Sequence, residues 1–559
     1  MLCVGFDSLR LQAYSVTRIT FSTNVGLATQ EKEGQMTTPH THVSTAHTEG
    51  EDDHGVDRKD WRRMAIGLFA GLVLAAIVWF IFPSNAVDTV AQSPGAKEGA
   101  EYSESALRAV AAVTILMGVW WMTEAIPLAA TALLPLVIFP LVGVGTIKEV
   151  GAPYASATIF LFMGGFLIAL ALQRWNLHRR LALYVVKVIG TSPKRLILGF
   201  MLATGFLSMW VSNTATAVVM LPIGTSVLAL TAETVGGWDK QKKFATALML
   251  GIAYSASIGS LGTLIGTPPN AFLNAYMADT WGVTLGFGRW MAVGVPLAAT
   301  FLLIAWFLLI TIFKPEMKEI PGGRELIEDE IKALGPWTRP QIMTGIIFVL
   351  AAAAWVTLPL VLKEFENYDD AIVGIAAGIL LFILPADNKR RIRLLDWETA
   401  NEMPWDVLLL FGGGLSLSSV FNSSGLSLWI GEMAKGLSVL PVVLIVAAVA
   451  ALVLFLTEIT SNTATAATFI PIMGGVAVGV GLTADGDINV LLLTIPVALA
   501  ATCAFMLPVA TPPNAIAYGS GYVKIGEMIK GGLGLNIIGI FLITLTVYLL
   551  AVPIFGLSI

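Results

Sequence analysis

Two short words carry most of the polar chemistry available inside the apolar parts of this chain, and each occurs twice. Ser212-Asn213-Thr214-Ala215-Thr216-Ala217 lies within a long apolar stretch, and Ser461-Asn462-Thr463-Ala464-Thr465-Ala466 repeats it letter for letter 249 positions later (461 − 212). After the first comes Thr267-Pro268-Pro269-Asn270-Ala271, and after the second Thr511-Pro512-Pro513-Asn514-Ala515, at an offset of 244 (511 − 267). Two pairs at nearly one offset indicate an internal duplication. Ser, Thr and Asn oxygens, joined by backbone carbonyls, suit a hard monovalent cation such as Na⁺. Backbone amides at helix N-termini, with Asn NH₂ and Thr OH, suit carboxylate oxygens. No Lys or Arg lies in either Ser-Asn-Thr core or in the two Thr-Pro-Pro-Asn breaks. An anionic substrate bound there needs its charge balanced by co-bound cations and dipoles, so cation coupling follows from electrostatics.

The elements that hold these words are membrane helices. Of 559 residues, 56% are hydrophobic and only 13% charged, with a mean hydropathy of +0.78, which reads as an all-α polytopic membrane protein. A net charge of −5 gives no reason to expect nucleic acid. Cys3 and Cys503 offer neither a disulfide framework nor a thiolate metal site, and four of the five histidines (His40, His42, His47, His54) fall in the N-terminal tail. Residues 1–63 read as a disordered cytoplasmic tail without a signal peptide, and composition makes Met36 the more natural first residue.

Basic clusters then set the topology. Arg58, Lys59, Arg62 and Arg63 precede a first span near 64–82, which places the N-terminus in the cytoplasm. Residues 83–105, with Lys97 against Glu98, Glu101 and Glu104, suit an outside loop. Spans follow near 107–123, 127–143 and 156–173, the last reaching the basic cluster from Arg174 to Arg195. From Ile197 to Ala232 there is no charge, yet both flanks are basic, so both ends lie inside. The economical solution is a re-entrant hairpin of two half-helices meeting at Ser-Asn-Thr, tolerated where protein or a water-filled cavity surrounds it. A broken helix from Phe244, a helix near 292–313, and a charged cytoplasmic linker at 314–340 complete the first half.

The second half, 341–559, repeats the first (107–313) with opposite orientation. Spans near 342–361 and 371–386 lead to Lys389, Arg390, Arg391 and Arg393, and Phe411-Gly412-Gly413 resembles Phe162-Met163-Gly164-Gly165, each about 47 residues before its Ser-Asn-Thr. The second hairpin, near 440–481, is flanked by Lys435 and by Asp485 and Asp487, which fits an opening to the outside. A broken helix from about 488 ends inside at Lys524 and Lys530, and a last helix, about 532–553, leaves the C-terminus outside. The count is about eleven crossings and two hairpins, the inverted repeat of secondary transporters. Glu458 is an intramembrane carboxylate, a candidate hydrogen-bond anchor or a proton or cation ligand, where the first copy has Met209. Glu124 reads as interfacial, and Trp120, Trp121, Trp281 and Trp290 as interface anchors.

The doubled Ser-Asn-Thr, the two Thr-Pro-Pro-Asn breaks and Trp120-Trp121-Met122-Thr123-Glu124-Ala125-Ile126-Pro127 closely resemble the divalent anion/sodium symporter family, whose members carry succinate, malate, fumarate, citrate or sulfate. The resemblance covers about residues 107–555 and leaves out the N-terminal tail. It implies a homodimer in the plasma (inner) membrane lipid, with scaffold and transport domains in each protomer and an elevator-type motion carrying substrate and Na⁺. It implies one sodium site at Ser208, Ser212, Asn213 and Gly266 and a second at Thr457, Thr460, Asn462 and Thr511. Dicarboxylate contacts would fall on Asn213, Thr214, Thr267, Asn462, Thr463 and Pro512. Some relatives have Ser where Thr267 stands, which bears on fine selectivity. Both Ser-Asn-Thr words are intact, which favours sodium symport over exchange.

The expected function is therefore Na⁺-coupled import of four-carbon dicarboxylates. Alternatives with the same fold are dicarboxylate exchange and sodium-coupled transport of sulfate or citrate. A membrane enzyme needs convergent His, Cys or paired carboxylates, and the spans offer only Glu458 and Cys503. A channel would not require two inverted, occluding hairpins.

Overall fold

The computed structural model describes residues 58–559, apart from 94–95, 97–100, 191, 318, 321, 362–367, 484–485 and 559. The expected tail with its four histidines, Lys97, Glu98 and Asp485 lie outside the described residues. Apart from a two-stranded turn at Pro385–Asp387 and Ile392–Arg393, the described chain is helical. Eight of its helices are long and apolar enough to cross a membrane, and four apolar helical segments are shorter.

The chain opens with α1 (Arg58–Ile81), which packs along α2 (Glu104–Thr123). Then come α3 (Ala157–Arg174) and α4 (Leu177–Ile189), followed by the first hairpin, α5 (Pro193–Ser208) and α6 (Asn213–Val235). The first broken helix is α7 (Lys242–Ser260) and α8 (Pro268–Trp281), after which α9 (Phe287–Ile312) and α10 (Gly323–Ala333) lead to α11 (Arg339–Val361) and α12 (Asp370–Ile383). The next helices are α13 (Trp405–Ser423), α14 (Leu426–Ala434), and the second hairpin, α15 (Val442–Thr457) and α16 (Asn462–Gly479). The second broken helix is α17 (Leu491–Thr502) and α18 (Pro512–Gly519), and α19 (Ile525–Thr546) follows.

Local chemistry explains the interruptions. Ser212 caps α6, its hydroxyl accepting from the Ala215 amide at 3.3 Å. Both break helices start with Pro at the first helical position, where a missing N–H costs nothing. The first arms of the two hairpins have 16 residues each. At 1.5 Å per residue that is about 24 Å, short of the ~30 Å hydrocarbon core.

The halves interlock. Within each, the first hairpin arm packs on the helix that precedes the break, α5 on α7 and α15 on α17. Between them, α6 packs on α18 and α16 packs on α8, so each hairpin's second arm meets the break helix of the other half. Phe162 and Phe411, the equivalent aromatics of the two phenylalanine-glycine words, meet edge to face at 5.3 Å. Gly164 of α3 crosses Gly374 of α12 so closely that a Cβ would overlap the Gly374 backbone.

Several expectations need correcting. Helix α1 begins at Arg58, so 58–63 is helix rather than tail. The linker at 314–340 contains α10, and the span ending near 386 stops at Ile383, where the two-stranded turn begins. Trp121 and Trp290 are fully buried, their indole N–H groups donating to the carbonyls of Leu128 and Leu261 at 3.2 Å, so they are core donors rather than interface anchors. Glu124 sits in the left-handed region (φ 50) after α2 and pairs with Arg63 at 3.2 Å, half exposed.

The basic cluster after α3 is not simply a solvated face. His178 and Arg180 are buried on α4. The Arg180 guanidinium donates to the carbonyls of Leu334 and Gly335 at 2.8 Å, and Arg179 and Lys187 pair with Glu330 and Glu328 of α10. Arg174 pairs with Asp396, and that hydrogen-bonded guanidinium holds the Asp396 carboxyl well below its usual range.

Candidate functional site

At the first hairpin tip, Ser208 ends α5 and Asn213 begins α6. Ser208 Oγ lies 2.7 Å from Asn213 Oδ1 and 2.6 Å from the Ala256 carbonyl of α7. Asn213 Nδ2 reaches Ser260 Oγ at 3.4 Å. At the second tip the same construction recurs. Thr457 Oγ1 lies 2.8 Å from Asn462 Oδ1 and 2.9 Å from the Ala501 carbonyl of α17. Each tip thus gathers a hydroxyl, an amide oxygen and a backbone carbonyl with one hydroxyl proton among them. Three oxygens gathered within hydrogen-bond distance are the kind of donor set that a hard monovalent cation takes.

The breaks supply the next layer. Gly266 packs so tightly on the Ser260 carbonyl that a Cβ there would overlap it, which brings the first break against the residue that Asn213 contacts. Asn270 donates from Nδ2 to the carbonyls of Ser260, Leu261 and Thr263 at 3.4, 3.3 and 2.9 Å. Its repeat counterpart Asn514 donates to Ala504 and Leu507 at 3.1 Å. Both amide oxygens are buried without a hydrogen-bond partner. Thr511 caps α18, accepting from the Asn514 amide at 3.3 Å, while Thr267 instead contacts Thr502 Oγ1 at 3.3 Å.

Glu458, 3% exposed, is surrounded by donors. Its carboxylate accepts from the amides of Phe505, Met506 and Leu507 at 2.7–3.1 Å and from Asn536 Nδ2 of α19 at 2.7 Å. Of the two roles open from the sequence, these contacts realise the hydrogen-bond anchor: the side chain ties the second tip to the loop of the second break. Where Glu458 stands, the first half has Met209, whose carbonyl accepts from Thr263 Oγ1 at 2.5 Å.

Of the residues expected to form the sites, Ser208 with Asn213 and Thr457 with Asn462 are directly bonded pairs, and Gly266 joins the first pair through Ser260. Ser212 and Thr511 have their hydroxyls at helix caps, and Thr460 bonds the Leu456 carbonyl and Thr465. Thr214 and Pro512 are exposed, Thr463 is half-buried, and Thr267 is buried. The cross-packing of α6 on α18 and α16 on α8 brings the Asn213-Thr214 helix beside the Pro512 helix and the Asn462-Thr463 helix beside that of Thr267. Ser260, Asn270, Asn514 and Thr502 were not assigned from sequence. For the two asparagines the signal was present, since both sit at the same place in a repeated word.

A family model described as the sodium:sulfate symporter transmembrane region matches residues 99–557. The chain is 43% identical over 461 residues to a protein of Staphylococcus saprophyticus named sodium-dependent dicarboxylate transporter SdcS, covering 80% of this chain and 87% of that one. To the protein of the same name from Staphylococcus aureus (strain USA300) it is 45% identical over 458 residues, with the same coverage. Among solved structures, the YdaH transporter of Alcanivorax borkumensis aligns with a TM-score of 0.50 at 16% identity, covering 89% of this chain and 98% of that one, a likeness of fold alone. With the family model spanning residues 99–557 and relatives at 43–45% identity over 80% of its length, this chain belongs to the sodium:sulfate symporter transmembrane family.

Proposed function

We propose that this protein is a secondary active transporter that couples Na⁺ to the movement of four-carbon dicarboxylates such as succinate, malate and fumarate. The observation that carries the reading is the matched pair of oxygen clusters, Ser208–Asn213–Ala256 and Thr457–Asn462–Ala501, built alike at the two tips. Na⁺ at these two tips, with Ser212, Gly266, Thr460 and Thr511 around them, supplies the positive charge that the arginine- and lysine-free breaks lack. The dicarboxylate then lies between the tips, on Asn213, Thr214, Asn462 and Thr463 and the break helices that start at Thr267-Pro268 and Thr511-Pro512. The names of the staphylococcal relatives support this choice of cargo.

Two re-entrant hairpins in inverted halves, moving as a transport domain against a scaffold in a homodimer, account for alternating access. Equivalent Phe162 and Phe411 touching each other is what two-fold-related halves do at their axis, and it supports the inverted repeat. In the inner membrane the N-terminus lies in the cytoplasm and the C-terminus outside.

The deciding measurement is uptake of radiolabelled succinate into proteoliposomes under an inward Na⁺ gradient against an equal K⁺ gradient, with sulfate and citrate as competitors. Uptake with Na⁺ only, blocked by malate and fumarate but not by sulfate, is the expected result. Uptake that ignores Na⁺ and needs internal dicarboxylate would make the protein an exchanger and withdraw the two cation sites.

A further inference from the structure

Where a helix breaks, the carbonyls at the end of its first part lose their helical partners and must find others. Asn270 and Asn514, the third residues of α8 and α18, supply them and are fully buried. One end of each side-chain amide faces backbone carbonyls: those of Ser260, Leu261 and Thr263 for Asn270, and of Ala504 and Leu507 for Asn514. A carbonyl can only accept, so that end is the NH₂ group, and each asparagine is a donor to its own break. The shortest contact of Asn270 is to Thr263, at 2.9 Å, and Asn514 reaches Leu507 at 3.1 Å. Thr263 and Leu507 hold the same place in the two copies, 244 positions apart (507 − 263).

From these two residues the bonds continue to the hairpin tips. Thr263 Oγ1 donates to the Met209 carbonyl at 2.5 Å, and the Leu507 amide donates to the Glu458 carboxylate at 3.1 Å. Met209 and Glu458 are equivalent as well, 249 positions apart (458 − 209). Each directly follows the hydroxyl residue of an oxygen cluster, Ser208 in the first half and Thr457 in the second. Both halves therefore build the same tie from break helix to tip, Asn270–Thr263–Met209 and Asn514–Leu507–Glu458. The link to the tip is a hydroxyl on a carbonyl in one half and an amide on a carboxylate in the other. Only the asparagine is common to both.

We propose that Asn270 and Asn514 are positioning residues that hold each oxygen cluster at a fixed distance from the start of its break helix, and so set how strongly Na⁺ and the dicarboxylate favour each other's binding. The inference rests on the Na⁺–dicarboxylate reading, with the cations at the tips and the anion at the starts of the break helices, and names the residues that keep the two apart by a set distance. Attraction between opposite charges falls with their separation, so a loosened tie weakens the coupling between the two ligands. Neither asparagine has to touch either ion.

The test titrates succinate calorimetrically into the purified full-length protein at low and at saturating Na⁺, for wild type, Asn270→Leu, Asn514→Leu, Thr263→Val, and Asn270→Leu with Thr263→Val. The ratio of the two succinate dissociation constants measures the coupling. It should be about fivefold or more in wild type and fall to about twofold or less in each single variant. Because Asn270 and Thr263 are links of one tie, the double variant should lose no more coupling than either alone. A merely structural asparagine would lower the number of binding sites per protomer while the protein that still binds keeps the wild-type ratio, and that result overturns the inference. So does succinate binding weakened equally at both Na⁺ concentrations, or a double variant whose losses add. Should Asn270→Leu not fold, Thr263→Val, which removes one hydroxyl and leaves the asparagine in place, decides for the first tie: an unchanged ratio there overturns it. Wild-type binding that ignores Na⁺ would overturn the transport reading and this inference together, whereas wild-type coupling with unshifted variants overturns only the latter.

Discussion

A hydroxyl has one proton to give, and at each hairpin tip that proton faces two acceptors. Asn213 and Asn462 provide the side-chain oxygens of these clusters, so Asn213→Ala or Asn462→Ala should abolish Na⁺-driven uptake while leaving the protein folded, as judged by gel filtration and thermal unfolding. Wild-type uptake in either variant would remove that asparagine from the site. Glu458 behaves differently. It binds three consecutive amides and Asn536, so Glu458→Gln turns a donor towards groups that are themselves donors. The expected loss is roughly 2–4 kcal/mol of stability, read as a fall in the unfolding midpoint. Unchanged stability would show that the loop at 505–507 does not depend on the carboxylate. The Ser-Asn-Thr words were visible in the sequence, and their meaning as oxygen clusters was open from residue types alone. Which carbonyls complete them, Ala256 and Ala501, was not visible, because any backbone carbonyl is chemically equal until the fold chooses one.

At the scale of elements, the molecule depends on helices that come very close and on short ones that stop midway. The crossing of α3 and α12 rests on Gly164 and Gly374, where a methyl on Gly164 would overlap backbone. Gly164→Ala should therefore cost about 1–3 kcal/mol, measured by thermal unfolding in detergent. Helix α4 makes a prediction about pH. Burial pushes His178 below its ordinary 6.5, the neighbouring Arg179 pushes the same way, and the Leu172 carbonyl at 3.1 Å opposes them. A depressed histidine is neutral in the folded protein, so its contribution is complete above about pH 6.5. As pH falls below that value the unfolded chain takes up a proton that the folded one refuses, and stability declines. In His178→Gln the unfolding midpoint should vary less between pH 7 and 5 than in wild type, and an identical slope would discharge His178 from this role. The charge cluster around α4 was legible, but its burial was not, since a basic stretch looks alike whether it faces water or clamps a neighbouring loop.

Across the described residues the two halves of the sequence pack by exchange: each hairpin's second arm leans on the other half's break helix. The homodimer proposal predicts a protein mass of twice 59.4 kDa in detergent by light scattering. A single protomer would refute it. The proposed inverted topology predicts opposite labelling by a membrane-impermeant maleimide. A cysteine placed at Lys389 should react only from the cytoplasmic side and one at Ser558 only from outside, in a Cys3→Ser, Cys503→Ser background. Labelling of both from one side would break the assigned topology.

Apolar composition and the doubled words were enough to read a helical membrane protein with a repeated polar motif, because hydropathy and repetition are properties of the string itself. Helix interruptions were equally legible, since a Pro-Pro pair and an Asn inside apolar sequence have few ways to be satisfied. Tertiary structure alone decided the partners. It buried Trp121 and Trp290 as donors to Leu128 and Leu261, gave Glu458 to the loop at 505–507, and turned Thr267 towards Thr502 while its counterpart Thr511 capped its own helix. Hydrogen-bond pairing across distant segments depends on which helices touch. Two copies of one word can therefore be identical in residues and different in chemistry.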